Sequence, residues 1–223
     1  MASVIFEEQL ELPLDIRSYA DFRKWAVSDE FPEVGRIDFV GGNIEVELSP
    51  EELYTHNAVK VQLIAVLANL AKVHGQGELF SRVRLTSEPS NLSTEPDVVY
   101  FRYETLDSGV VKLVPKDDRH DEFIAIEGAP DMIAEIVSDG SVSKDTLRLP
   151  EAYFEAGVRE YWLIDARKED LVFRIHGRGV SGFILQSEDA EGFQVSAVFG
   201  ERFRLDRQRD RRGHWKYDLK TIE

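Results

Sequence analysis

The sequence predicts a single α+β domain in which a mixed β-sheet is flanked by helices. Helical periodicity dominates the first third of the chain, apolar runs of strand length dominate the rest, and one polar segment of helical character interrupts those runs. At 223 residues, 43% of them hydrophobic, the chain can build one buried core, and no Pro/Gly/Ser-rich linker divides it.

From Ser18 to Ser28, Tyr19, Phe22, Trp25 and Ala26 recur at helical spacing and predict an amphipathic helix. RIDFVGGNIEVELSP alternates instead, with Ile37, Phe39, Ile44, Val46 and Leu48 on one face and Gly41-Gly42-Asn43 supplying the positive-φ turn of a hairpin. Between Asn57 and His74, Val59, Leu63, Val66, Leu67 and Leu70 mark one face of a long helix, ended by Gly75 and Gly77. LFSRVRLTS alternates again, and PDVVYF sets Val98, Val99 and Tyr100 in a buried strand. The charged, poorly patterned stretch Arg102 to Asp121 is expected as a surface excursion. PDMIAEIVS reads as the next apolar strand. After it, Ser141 or Ser143 can cap a helix that reaches Ala156 and stops at Gly157. VREYWLIDA is a further apolar strand that turns through Lys168, Glu169 and Asp170 into LVFRIHG, and GFILQS and FQVSAVF add more.

Composition excludes several chemistries. There is no cysteine, so disulfides, thiolate metal sites and cysteine nucleophiles are ruled out, and any metal must sit on oxygen or histidine. The N-terminal run MASVIFEEQLELPLD is acidic where a signal peptide is basic and apolar, and no apolar segment reaches membrane-spanning length; a cytoplasmic location is expected. A net charge of −15 disfavours broad nonspecific binding to nucleic acid. The charge is uneven, however. Arg202 to Lys216 holds seven basic residues against two acidic ones. The chain therefore divides into a folded domain over 1–201 and a basic tail over 202–223, read as solvated, with a phosphate-contacting arm as the alternative.

Two carboxylates interrupt apolar strands. Asp97 opens PDVVYF and Glu135 lies inside DMIAEIVS, where alternation puts Asp131, Ile133, Glu135 and Val137 on one side and Met132, Ala134 and Ile136 on the other. A charge there needs a partner, a metal or an edge position. If the strands are neighbours, the acids can share a hard divalent cation such as Mg²⁺ or Mn²⁺. Otherwise Glu135 is an edge-strand acid and Asp97 caps a turn after Pro96.

Pro96-Asp97, PDMIAEIVS, Asp145, Tyr153 and GVREYWLID, with RIDFVGGNIEVELSP and His56 upstream, resemble the Uma-type family of putative restriction endonucleases in the PD-(D/E)XK nuclease superfamily. The resemblance spans most of residues 30 to 175. It implies a restriction-endonuclease-like sheet, Mg²⁺-dependent hydrolysis of DNA, a homodimer, and Asp97 and Glu135 as metal ligands. The chain departs from the pattern twice. Val137 stands where the superfamily has lysine, and Leu149, followed by Pro150, stands where the family has one. Lys144 and Arg148 are the local substitutes for that catalytic cation, although arginine cannot act as a base.

His56 is either a helix-start hydrogen-bonding residue or a site residue. Asp38 is either an exposed strand residue or the match of a family glutamate. Glu45 and Glu47 are expected to point to solvent. Tyr153, Tyr161 and Trp162 read as core or interface aromatics, Asp165 as a turn cap, and Asp145 as a helix-start acid or an anchor for a basic group. The alternative function is a nuclease fold that has lost catalysis and binds nucleic acid or protein.

Overall fold

The computed structural model describes residues 3–6, 10–32, 35–116 and 119–223, so parts of the N-terminal run and of the Arg102 to Asp121 stretch lie outside the description. Its centre is a six-stranded sheet in the order Phe183–Leu185, Val172–Arg178, Glu160–Asp165, Met132–Ile136, Val98–Arg102, Gly77–Phe80. The pair Met132–Ile136 and Glu160–Asp165 is parallel and the others are antiparallel. That parallel pair needs a crossover, and the predicted helix before Gly157 supplies it.

Alternation sorts the sheet's faces as the sequence implies. Met132, Ala134 and Ile136 pack with Val98, Tyr100, Trp162 and the apolar stripe of helix Ala58–His74, namely Val59, Leu63, Leu67 and Leu70. Ile133 and Val137 face the other way, against Val99, Phe101, Leu149, Ala152, Tyr153 and Tyr161. Burying each of the larger aliphatic side chains stabilises the fold by about 1.5–3 kcal/mol, so register is strongly fixed here.

A second six-stranded sheet runs Asn43–Glu47, Arg36–Val40, Leu92–Thr94, Arg84–Ser87, Arg119–Gly128, Val111–Lys116. It contains the predicted Gly41-Gly42 hairpin. Helix Tyr19–Ala26 packs Phe22 and Trp25 against its Ile37 and Phe39. LFSRVRLTS does not stay in one sheet. Gly77–Phe80 ends the central sheet, and Arg84–Ser87 begins again in the second, with Arg82 at positive φ in the break.

Two expectations fail. The stretch Arg102 to Asp121 is no surface excursion: it contains helix Tyr103–Asp107 and strand Val111–Lys116, which pairs with Arg119–Gly128, and Val111 is fully buried. The basic segment from 202 is no solvated tail either. It forms the hairpin Glu201–Arg209 and Trp215–Ile222, which buries Phe203, Leu205, Tyr217 and Leu219 against helix Ala58–His74. Both segments carry an alternating apolar set beneath a high charge density.

Both helices that flank the site begin with a single π-turn, a feature often found at functional positions. Leu53–Asn57 leads into Ala58–His74, and Lys144–Arg148 leads into Leu149–Ala156. Pro150 stands in the first turn of this short second helix. The π-turn bonds the Leu149 N–H to the Lys144 carbonyl, and Pro150 opens the regular α segment, where its missing N–H is harmless. Ser143 makes no side-chain cap, and Ser141 Oγ instead donates to Asp145.

Candidate metal and phosphate site

Asp97 and Glu135 meet because their strands are neighbours. Val98 pairs with Ala134 in the antiparallel ladder, so the preceding residue, Asp97, faces Glu135 on the same side of the sheet. The Asp97 N–H donates to Glu135 Oε2 at 3.2 Å, and Ile136 N–H donates to Asp97 Oδ2 at 2.9 Å. Both side chains are 1% exposed, so their charges must be balanced locally.

Arg36 supplies much of that balance. One guanidinium lies 3.3 Å from Glu135, 3.7 Å from Asp97 and 3.7 Å from Asp38. The first helix adds two more groups. His56 Nε2 sits 3.3 Å from Asp97 Oδ2, and Lys60, one turn later, sits 3.3 Å from Asp97 Oδ1 and donates to Glu51. The π-turn makes this delivery possible. Glu52 caps it by accepting from the N–H groups of Tyr54 and Thr55, which aims His56 inward.

Burial acts alike on the two acids, and their neighbours then separate them. Burial raises the Asp97 pKa, but the His56 hydrogen bond and the charges of Arg36, His56 and Lys60 outweigh it and hold the carboxyl well below its usual range. For Glu135 burial wins, with the Asp97 charge beside it adding to the rise and Arg36 and the Tyr153 hydroxyl opposing it. Tyr153 donates to Glu135 Oε1 at 2.5 Å, so this aromatic has a polar task within the core.

Three buried atoms in the cluster have no hydrogen-bond partner among the described residues, Arg36 Nε, Asp97 Oδ1 and His56 Nδ1. The last two come from residues that form a set of three with Glu51. Ligand atoms from Glu51, His56 and Asp97 all lie within 4.8 Å of one another, in a mixture of carboxylate oxygen and imidazole nitrogen suited to a divalent cation. This donor set fits a metal ion. It opens into a cleft of about 220 Å³ lined by Arg36, Glu47, Glu51, His56, Arg82 and Ser138.

The anticipated cations sit elsewhere. Lys144 Nζ donates to Asp38 at 3.0 Å and lies 3.8 Å from Glu47. Arg148 forms a fork with Glu45, at 2.7 and 2.8 Å, on a half-exposed edge. Among the described residues neither ion-pairs with Asp97 or Glu135 within 4 Å. Leu149 is fully buried in the apolar cluster. Asp38 is not an exposed strand residue: it is 1% exposed, and it accepts from Glu95 N–H as well as Lys144. Glu45 and Glu47 are likewise engaged rather than solvated, since Glu47 accepts from Ser138 Oγ. Burial and the nearby Glu135 charge push Asp145 well up; its Oδ2 accepts from Ser141. Asp165 accepts from Arg167 N–H, the turn-cap role expected of it.

Residues 19–205 match the Uma2 family, described as putative restriction endonuclease. The chain belongs to this family. Among solved structures, a putative nuclease belonging to DUF820 from Anabaena variabilis is similar, with a TM-score of 0.57 and 18% identity over 82% of this chain and 90% of that one. That likeness concerns the fold. No curated protein matches the chain.

Within this Uma2 chain, sequence reasoning missed Arg36, Glu51 and Lys60. Two of them left a signal. Arg36 and Asp38 alternate on one face of a strand whose neighbours Ile37 and Phe39 are apolar, and Lys60 lies four residues after His56, on the same helix face. Glu51 left none, being one acid in a loop of several.

Proposed function

We propose that the protein is a divalent-metal-dependent nuclease that hydrolyses DNA phosphodiester bonds at the mouth of the Arg36–His56 cleft. The observation that carries this reading is the convergence of Glu51, His56 and Asp97, in which two buried atoms, Asp97 Oδ1 and His56 Nδ1, make no hydrogen bond among the described residues. Membership of a family described as putative restriction endonucleases supports it.

Glu51, His56 and Asp97 would hold Mg²⁺ or Mn²⁺, with Glu135 as the adjacent carboxylate. A divalent ion bound there supplies a Lewis acid for a phosphate oxygen and lowers the pKa of a coordinated water. The remaining work falls to the chain. Arg36 and Lys60 place two cations against the acids and can orient a phosphodiester and offset charge growing on it, the task the family's helix lysine performs. Lys144 and Arg148 act at one remove: Lys144 fixes Asp38 and so the Arg36 guanidinium, and Arg148 ties Glu45 to the second helix. Asp97 is held ionised by its neighbours, the form in which a carboxylate binds a metal.

Manganese titration followed by the loss of the free-ion electron paramagnetic resonance signal tests the site, and nicking of supercoiled plasmid tests the reaction. One or two bound ions with nicking that D97N abolishes is the expected outcome. Absence of Mn²⁺ binding by the wild type would sink the metal site.

Leu149 buried at the lysine position favours a second reading, a family member that binds DNA without cutting it. It predicts intact Mn²⁺ binding with no nicking under any divalent metal.

A further inference from the structure

The C-terminal hairpin holds the chain's densest positive charge, and it is docked beside the cleft. Its turn, Asp210 to His214, lies beyond residue 205, where the family match ends. The His214 ring stacks on Tyr54 with centroids 4.3 Å apart and planes 2° from parallel. Tyr54 belongs to the π-turn that carries His56, and Glu51 and His56 line the cleft. Arg212 is two residues from His214, a chain distance of about 7 Å.

The turn is built, not slack. Asp210 Oδ1 accepts from the N–H groups of Arg212 and His214 at 2.8 and 3.0 Å, Asp210 N–H donates to the His214 carbonyl, and Gly213 takes the positive φ that closes the loop. Arg209 donates to the Gly213 carbonyl, and the guanidinium carbons of Arg207 and Arg209 lie 4.1 and 3.9 Å from the Trp215 ring centroid. These contacts fix the strands that carry the turn. The hairpin arginines before the turn all have internal partners: Asp189 for Arg202, Asp206 for Arg204, the Ala166, Lys168 and Glu169 carbonyls for Arg207, and Glu169 for Arg209. Arg211, Arg212 and Lys216 are exposed and make no ion pair among the described residues.

We propose that this hairpin is a nucleic-acid arm, in which Arg211 and Arg212, with Lys216 behind them, grip the phosphate backbone of duplex DNA that enters the cleft. The proposal rests on the nuclease reading for its choice of partner. It resolves the mismatch between a net charge of −15 and a polyanionic substrate, because a chain repelled by DNA as a whole can still hold it through one cationic edge. An acidic face of a second copy is the competing partner, and the position of the turn against the cleft favours DNA.

The test is fluorescence anisotropy of a labelled 25-base-pair duplex without divalent metal, titrated with the full chain between 50 and 200 mM NaCl. R211A/R212A should weaken binding roughly tenfold at 100 mM salt and flatten the slope of log K against log salt by about 2, one unit for each phosphate no longer neutralised. H214A, which frees the arm from Tyr54, should weaken binding less. Both altered arginines are exposed, so an unchanged thermal melt shows that folding is intact. Unchanged affinity and slope would overturn the proposal, as would a wild type that fails to bind. It is also overturned by salt-sensitive self-association that R211A/R212A abolishes while DNA binding persists. Mn²⁺ binding and plasmid nicking are read separately. A wild type that binds DNA through the arm yet neither takes up Mn²⁺ nor nicks would sink the nuclease reading and leave the arm standing.

Discussion

Asp97 and Glu135 sit opposite one another on paired strands, equally buried, and their surroundings drive them apart. Asp97 looks toward the π-turn and helix Ala58–His74, from which His56 and Lys60, together with Arg36 of the second sheet, crowd it with positive charge, and one of its oxygens has no hydrogen-bond partner. Glu135 looks toward helix Leu149–Ala156, where Tyr153 takes one oxygen while Asp97 N–H and Arg36 take the other. The difference teaches that burial does not assign a carboxylate its role. Its partners do: on the proposed reading the acid whose Oδ1 has only the ion pairs to Lys60 and Arg36 binds the metal, and the acid whose oxygens are both hydrogen-bonded holds the fold together.

The largest expected effect separates the two directly. Asp97→Asn should lower Mn²⁺ affinity by at least about 100-fold, more than the loss typical of an outer-shell partner, whereas Glu135→Gln should cost roughly tenfold or less. Isothermal titration of both variants checks this, and equal losses would break the distinction. His56→Ala belongs on the Asp97 side and should weaken Mn²⁺ binding about tenfold to 100-fold, with nicking falling in parallel.

Tyr153→Phe probes the other side. It removes the donor to a buried carboxylate and should destabilise the protein by about 1–3 kcal/mol in urea unfolding, with Mn²⁺ affinity unchanged. A Tyr153→Phe protein of normal stability that has lost Mn²⁺ would place Glu135 with the metal ligands instead.

The sequence exposed the acids more readily than their partners. Asp97 and Glu135 stand out because strands of Val, Ile and Met have no other use for a charge, and the same alternation put Met132, Ala134 and Ile136 on the helix-packed face. Arg36 and Lys60 hid because a basic residue beside an apolar stripe usually reaches solvent, and only the tertiary meeting of a hairpin, a helix and two strands buries them. The hairpin from 201 hid for a related reason. Phe203 and Leu205 alternate, as do Tyr217 and Leu219, but five arginines and a lysine among them read as a tail. Strand Val111–Lys116 was obscured by Pro115 and two lysines, which suit its position at the edge of the second sheet. The family resemblance added the metal-ligand role of the acids and a helix lysine position, which Leu149 fills here; Lys144 and Arg148, read as its local substitutes, pair with Asp38 and Glu45.

The smallest effect is the dependence of stability on pH, and it has opposite signs for the two acids. The folded pKa of Asp97 lies below its ordinary 3.8, so the ion is the form the fold favours; its contribution is complete above pH 3.8 and is lost as pH falls toward the folded value. The folded pKa of Glu135 lies above its ordinary 4.5, so the neutral acid is favoured; its contribution is complete below pH 4.5 and is lost as pH rises through the folded value. Urea midpoints in EDTA from pH 2 to 8 should therefore show the advantage of wild type over D97N shrinking on the acid side, and its advantage over E135Q shrinking on the alkaline side. Because the Asp97 charge itself helps to raise Glu135, D97N should also move the Glu135 limb to lower pH. If that limb stays where it is in D97N, the two carboxylates do not sense each other, and the shared cluster reduces to two separately balanced charges.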